Sequence, residues 1–313
     1  GSILIDADGY AGIGVDNNVG TFLGEINKTT SSGSIGFDSD VSESIDTFSS
    51  AVDLTGFNST MRLGSATAAI LTGTITPQGT DYRFGGGGGT LYVGSLLTDS
   101  NTTPVTAPGV SAAAGTTPRN IVAASPSEAP LTVHFTNTTN SISGTVEADN
   151  SAIIFGDGVT LPGSTANFSM NASSYIGTAH NPSGSLSEIS ISTFLGHFPA
   201  NTPGIIGFDI TSSTSSTRSV DLTGVDLTGF TGGVALGTAS VLRDTSGDIS
   251  GPGVNFTGII GADASGVHRF AAYKGAALEI SGSLTGSSLI IGNADSPGSF
   301  GDRNTQQRSA VLI

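Results

Sequence analysis

The chain has 313 residues, enough for one long all-β domain or two ordinary ones. It carries 25 acidic against 10 basic residues, a formal charge of −15, and its only lysines are Lys28 and Lys274; this excludes a nucleic-acid binder that works by neutralising phosphates. There is no cysteine, hence no disulfide or thiolate chemistry, and no apolar run approaches the roughly 20 residues needed to span a bilayer.

Taken in order, the chain opens on Ile3-Leu4-Ile5, a short strand, followed by a turn-rich stretch in which Asp6, Asp8 and Asp16 are candidate calcium ligands, since calcium takes six to eight oxygens. Short β-type runs continue at 34–37, 50–54, 69–76, 90–93, 131–135, 141–147, 152–155, 188–192, 204–210, 219–222, 253–256, 277–281 and 288–292. Gly, Asn, Asp, Ser or Pro separate them, and helical periodicity is nearly absent. Regular short strands with turn residues between them indicate a sandwich, a barrel or a solenoid. The chain closes on Val311-Leu312-Ile313. Both strand-like ends, Ile3 to Ile5 and Val311 to Ile313, are expected to pair with something and are candidate assembly segments.

An internal repeat organises these runs. TFLG at 21–24 returns at 193–196, GSIGFD at 33–38 returns as GIIGFD at 204–209, and DLTGF at 53–57 returns at 226–230. LGSATA at 63–68 returns as LGTASV at 236–241, and YRF at 82–84 as HRF at 268–270. The offset grows after an insertion near 243–255. The expected organisation is a first unit over 1–97, a Thr/Ala/Pro-rich loop or linker over 98–130, a second unit over 131–292, and the start of a further rung or assembly strand over 293–313. The leading strands of the first unit are expected before residue 1, as in an excerpt of a longer tandem array.

The five glycines Gly85 to Gly89 fall inside this repeat. The second copy has Ala271-Ala272-Tyr273-Lys274-Gly275 in their place. A phosphate cradle would need backbone amides at φ values that glycine supplies cheaply, and the second copy lays down the same flanking strands without those glycines. The run is therefore a side-chain-poor crossing where backbone approaches backbone.

The stretch from Leu63 to Leu97, with its phrase Tyr82-Arg-Phe-Gly-Gly-Gly-Gly-Gly-Thr-Leu-Tyr-Val93, resembles the autotransporter-associated β-strand repeat type of large bacterial surface proteins. The resemblance covers about half the chain, from 53–97 and more weakly over 226–292. It implies a right-handed parallel β-helix, secretion to the bacterial cell surface, and a structural or adhesive role, with no catalytic residues to carry over. The long Pro/Thr-rich insertion and long repeat period depart from typical members. A pair of tandem β-sandwich domains is the structural alternative.

No catalytic constellation stands out. His134, His180, His197 and His268 lie in no metal-binding spacing, and no GxSxG elbow is present. Asp40-Val-Ser-Glu-Ser matches a DxSxS metal pattern but sits among strands rather than before a helix. Asp38 with Asp40, and Asp221 with Asp226, are the close carboxylate pairs a glycosidase would need, in a chain without tryptophan. Asn27, Asn58, Asn101, Asn137, Asn167, Asn171 and Asn255 open Asn-x-Ser/Thr sequons and are glycosylation candidates. The expectation is a non-catalytic structural component of an extracellular bacterial assembly (fibre, sheath, layer or stalk), self-associating through strand edges, with glycans as further partners and no cofactor beyond calcium. The alternatives are a polysaccharide-binding or polysaccharide-cleaving β-helix and a calcium-dependent adhesin.

Overall fold

The computed structural model describes residues 1–40, 45–102, 115–163, 167–180, 191–210, 218–240, 242–243, 249–251, 253–292 and 310–313. The protein is mostly β and its main sheets are parallel. The first sheet has seven strands: Tyr10–Gly14, Ser34–Asp38, Arg62–Gly64, Asp81–Phe84, Asn120–Ala124, Val146–Asp149 and Phe168–Met170. The second has ten, from Asp46–Phe48 through Ala68–Leu71, Thr90–Val93, Thr132–Phe135, Ala152–Phe155, Tyr175–His180, Ile205–Ile210, Ala235–Thr238 and Val267–Ala272 to Ser288–Ile291. The third has four: Ser219–Asp221, Val254–Thr257, Ala277–Ile280 and Ala310–Leu312. In all three, spatial order follows chain order, so each strand lies beside the nearest earlier strand of its own sheet.

The two-residue period of a strand decides what faces the core. In Thr90–Val93, Leu91 and Val93 are fully buried while Thr90 and Tyr92 face outward. The inward side chains meet between sheets. Phe37 of the first sheet packs edge-on to Phe48 of the second, with ring centroids 5.2 Å apart, and Phe135 and Phe155 stack onward to Phe168 at 5.6 Å each. Further along, Phe208 of the second sheet meets Phe256 of the third. Such aromatic pairs add about 1 kcal/mol each beyond the area they bury. Buried serines satisfy the corners: Ser125 Oγ accepts from the amides of Gly86 and Leu131 and bonds Ser151 Oγ at 2.8 Å.

The repeat is written into this topology with one change. The strands of the first copy at 10–14, 34–38 and 62–64 belong to the first sheet; their counterparts at 175–180, 205–210 and 235–238 belong to the second. Likewise Thr90–Val93 lies in the second sheet and its counterpart Ala277–Ile280 in the third. The second copy is thus displaced by one sheet relative to the first. Because the ten-stranded sheet runs through both copies, the chain does not divide into two sandwich domains.

Several expectations need correction. Within 98–130, assigned as a loop or linker, Asn120–Ala124 is an interior strand of the first sheet, paired with Asp81–Phe84 on one side and Val146–Asp149 on the other. Its Ile-Val-Ala-Ala text is an ordinary buried strand, obscured by the Thr/Pro-rich residues before it. Two short helices, Val19–Glu25 and Ile191–Leu195, occupy the two copies of TFLG. At seven and five residues they are too short to display a 3.6-residue period. Asn18 caps the first, its side chain accepting from the Thr21 amide at 2.9 Å. The antiparallel pairs among the described residues, Ser100–Thr102 with Gly115–Thr117 and Leu242–Arg243 with Ile249–Gly251, fall at the two insertions. Residues 41–44 of the DxSxS pattern and 293–309 lie outside the described residues.

Candidate functional site

The outward face of each copy carries the same device. Tyr10 lies across a ladder in which Gly12, Gly36 and Gly64 are register partners; a Cβ at Gly36 would collide with its hydroxyl. That hydroxyl donates to Asp38 Oδ1 at 2.6 Å, and the Ala66 amide reaches the same carboxylate oxygen at 2.7 Å. In the second copy Tyr175 lies across Gly177, Gly207 and Gly237, donates to Asp209 Oδ2 at 2.6 Å, and the Ala239 amide reaches Asp209 Oδ1 at 2.8 Å. At Gly36, Gly177 and Gly207 the ring occupies the space a side chain would take, and at Gly64 and Gly237 the crossing backbone at Gly85 and Ala271 does.

The two devices differ in their cover. Beside Tyr10 runs Gly86, followed by Gly87, with φ of 82° and 87°, and the tyrosine is only partly buried. A Cβ at Gly86 would collide with Ser34, and one at Gly87 with the Ser65 backbone, so the run is the tight crossing its sequence suggested. Over Tyr175 lies Tyr273, ring centroid 5.3 Å away, and both are buried. Burial first, then the charge and hydrogen bond of Asp209, push the Tyr175 hydroxyl well above its ordinary pKa. Asp209 is 4% exposed and accepts from Tyr175, Thr238, Ser240 and the Ala239 amide, so its charge is held by four donors.

Next to Tyr273, Lys274 keeps the positive φ of its counterpart Gly88, 46° against 79°. Its ammonium donates to the carbonyl oxygens of Gly88 at 2.5 Å and Pro130 at 3.0 Å. No carboxylate lies within ion-pair distance of it among the described residues. Burial lowers its pKa to about 8. Between this lysine and the second sheet lies a cavity of about 390 Å³, lined among others by Tyr92, His134, Asp209, Ser240, Tyr273 and Lys274. His134 is held neutral by burial, which the charge of Asp209 only partly opposes, and its Nε2 is buried without a hydrogen bond. The cavity joins the two copies: Thr90 and Tyr92 come from the first, Asp209 and Lys274 from the second.

The sequence-derived candidates fall elsewhere. Asp6 and Asp8 are exposed before the strand Tyr10–Gly14 and Asp16 is exposed after it, so about 16 Å of extended chain separates them. The three do not converge on one ion, and no group of three His, Cys, Asp or Glu able to hold a metal is gathered among the described residues. Asp221 and Asp226 share a groove with Ile191, Phe198 and Phe230, but each accepts from the Thr two residues on, Thr223 and Thr228 at 2.9 Å. Those bonds lower both pKa values, whereas glycosidase chemistry requires one raised carboxyl as acid. Asp38 is engaged by Tyr10. His197 bonds Asn167 and stacks on Phe168 at 4.7 Å, while His268 Nε2 accepts from the Gly286 amide.

The sequons have a structural reading. Asn58, Asn137 and Asn171 each accept from the amide two residues on, as Asp53, Asp221 and Asp226 do. Asn-x-Ser/Thr and Asp-x-Thr are therefore one corner motif, the Asx-turn. The amide nitrogens of Asn137, Asn167 and Asn171, where a glycan would attach, already donate to neighbours. Asn27 accepts from the Thr29 hydroxyl and Asn255 from the amide and hydroxyl of Ser281, and the side chain of Asn101 lies outside the described residues.

Both strand-like ends pair within the chain. Ile3 bridges Ile26, and Ile5 is buried, with Leu4 60% exposed between them. Ala310–Leu312 pairs in parallel with Ala277–Glu279, while Leu312 and Ile313 remain exposed. No helix among the described residues is long and apolar enough to cross a membrane. Comparison with protein-family models, curated proteins and solved structures returned no match.

The sequence reading missed Tyr10, Tyr175 and Lys274. A signal existed for the tyrosines: each stands two residues before the first glycine of its ladder, Gly12 and Gly177. For Lys274 there was only the substitution itself, a lysine where the other copy has glycine.

Proposed function

We propose that this chain is a parallel β-helical, non-catalytic component of a bacterial extracellular surface assembly, joined to further copies through its sheet edges. Three parallel sheets whose spatial order follows chain order support the coiled architecture, because each turn satisfies the backbone groups of the turn before. The resemblance of 63–97 to a bacterial surface repeat supports the location.

The observation that carries the assembly is the strand Ser288–Ile291, which ends the ten-stranded sheet among the described residues. All four of its residues are exposed, with Leu289, Ile290 and Ile291 at 40%, 37% and 53%. Natural sheets shield apolar edges with charge, proline or a covering element, and an unshielded one is a template for strand addition. Sedimentation velocity and electron microscopy across a concentration series test this reading. End-to-end oligomers growing with concentration are expected; a monomer at every concentration would refute it.

A further inference from the structure

We propose that the cavity at the junction of the two copies is a binding site for a small hydroxyl-bearing organic anion, of the class of a single sugar acid. This does not depend on edge assembly. Lys274 is partly buried, and an ammonium drawn even partly out of water is costly unless its charge is met. Among the described residues Lys274 is met only by two carbonyl dipoles, those of Gly88 and Pro130. An ammonium has three donors, so one remains. The nearby carboxylate, Asp209, is consumed by four donors of its own. A ligand carboxylate supplies the missing negative charge through a charge-assisted hydrogen bond.

The remaining lining sets the rest of the ligand. Tyr92 and Tyr273 offer ring surface, and Ser240, Thr90 and Thr132 bring hydroxyls. A few polar groups among apolar walls is the ordinary make-up of a small-ligand site. At about 390 Å³ the cavity holds roughly a dozen waters' worth of volume, which suits one sugar ring rather than a chain. The first copy has no equivalent site, because Gly87 and Gly88 stand where the second copy has Tyr273 and Lys274.

Titration calorimetry of the intact chain at pH 7 with glucuronate, glucose and acetate separates the contributions. Glucuronate is expected to bind about tenfold or more tighter than glucose, which lacks the charge, and than acetate, which lacks the hydroxyls. Lys274→Gly, which suits the positive φ and restores the residue of the other copy, is expected to weaken glucuronate binding to the level of glucose. An unchanged circular dichroism spectrum and melting temperature within a few degrees would establish that this variant folds. A Tyr92→Ala variant, outside the Lys274 corner, is expected to weaken binding of glucuronate without removing its advantage over glucose. Equal affinity for glucuronate and glucose, undetectable glucuronate binding, or full retention of binding by a folded Lys274→Gly protein would overturn the assignment.

Discussion

Lys274 donates to the carbonyl oxygen of Gly88, its own counterpart 186 residues earlier. The two positions share a positive φ, so the chain makes the same corner twice and in the second copy turns it into a strap reaching the first. The carbonyls orient the ammonium, and no carboxylate among the described residues pairs with it.

This arrangement sets a pH dependence. Burial takes the Lys274 pKa from the ordinary 10.5 to about 8, a difference worth about 3 kcal/mol. A lysine whose folded pKa is depressed costs stability in full below the folded pKa. Between pH 8 and 10.5 the unfolded chain holds the extra proton, so folding becomes more favourable as pH rises. Lys274→Gly removes this contribution. Urea denaturation at pH 7.5 and 10 is expected to show the wild type gaining stability relative to the variant. The raised tyrosines Tyr10, Tyr92, Tyr175 and Tyr273 oppose this near pH 10 but are common to both proteins.

The duplicated tyrosine gives a paired test. Tyr175→Phe leaves the buried Asp209 short of a donor and is expected to cost about 2 kcal/mol, against about 1 for Tyr10→Phe, where solvent reaches Asp38. Gly207→Ala places a methyl group against the fully buried ring of Tyr175, at about 3 kcal/mol; Gly36→Ala is expected to cost less because Tyr10 is only partly buried and has solvent on one side to yield into. Chemical denaturation midpoints of the four variants check the ranking.

The edge strand is tested by Ile290→Lys. A charge on an open edge blocks strand addition, so association is expected to vanish in sedimentation velocity. Because Ile290 is already 37% exposed, stability should change by no more than about 0.5 kcal/mol.

The corner motif predicts that Asn58→Asp is nearly neutral, since Asp53 and Asp221 do the same work, while Asn58→Ala costs about 1 kcal/mol by freeing the Thr60 amide. Thermal melting of the two variants distinguishes a turn residue from a mere glycan acceptor, for which both substitutions would behave alike.

Much of the fold was legible beforehand. The short apolar runs at 90–93 and 204–210 were legible as strands, and both are strands of the ten-stranded sheet, the second buried along its whole length. The repeat was legible as ordered matches, and the glycine run as a crossing. Ile121 and its neighbours were obscured by the Thr/Pro-rich residues ahead of them, and the TFLG helices were too short for their period to register.

Composition and local pattern determined that this chain would build short, stacked strands with Asx corners and an apolar interior, because those properties reside in neighbouring residues. Only the tertiary structure decided that the second copy would shift by one sheet, that Tyr175 and Tyr273 would seal Asp209, and that Lys274 would reach Gly88. These relations join residues tens to nearly two hundred positions apart, and they depend on how many strands the chain lays down between the copies, a number that no local pattern encodes.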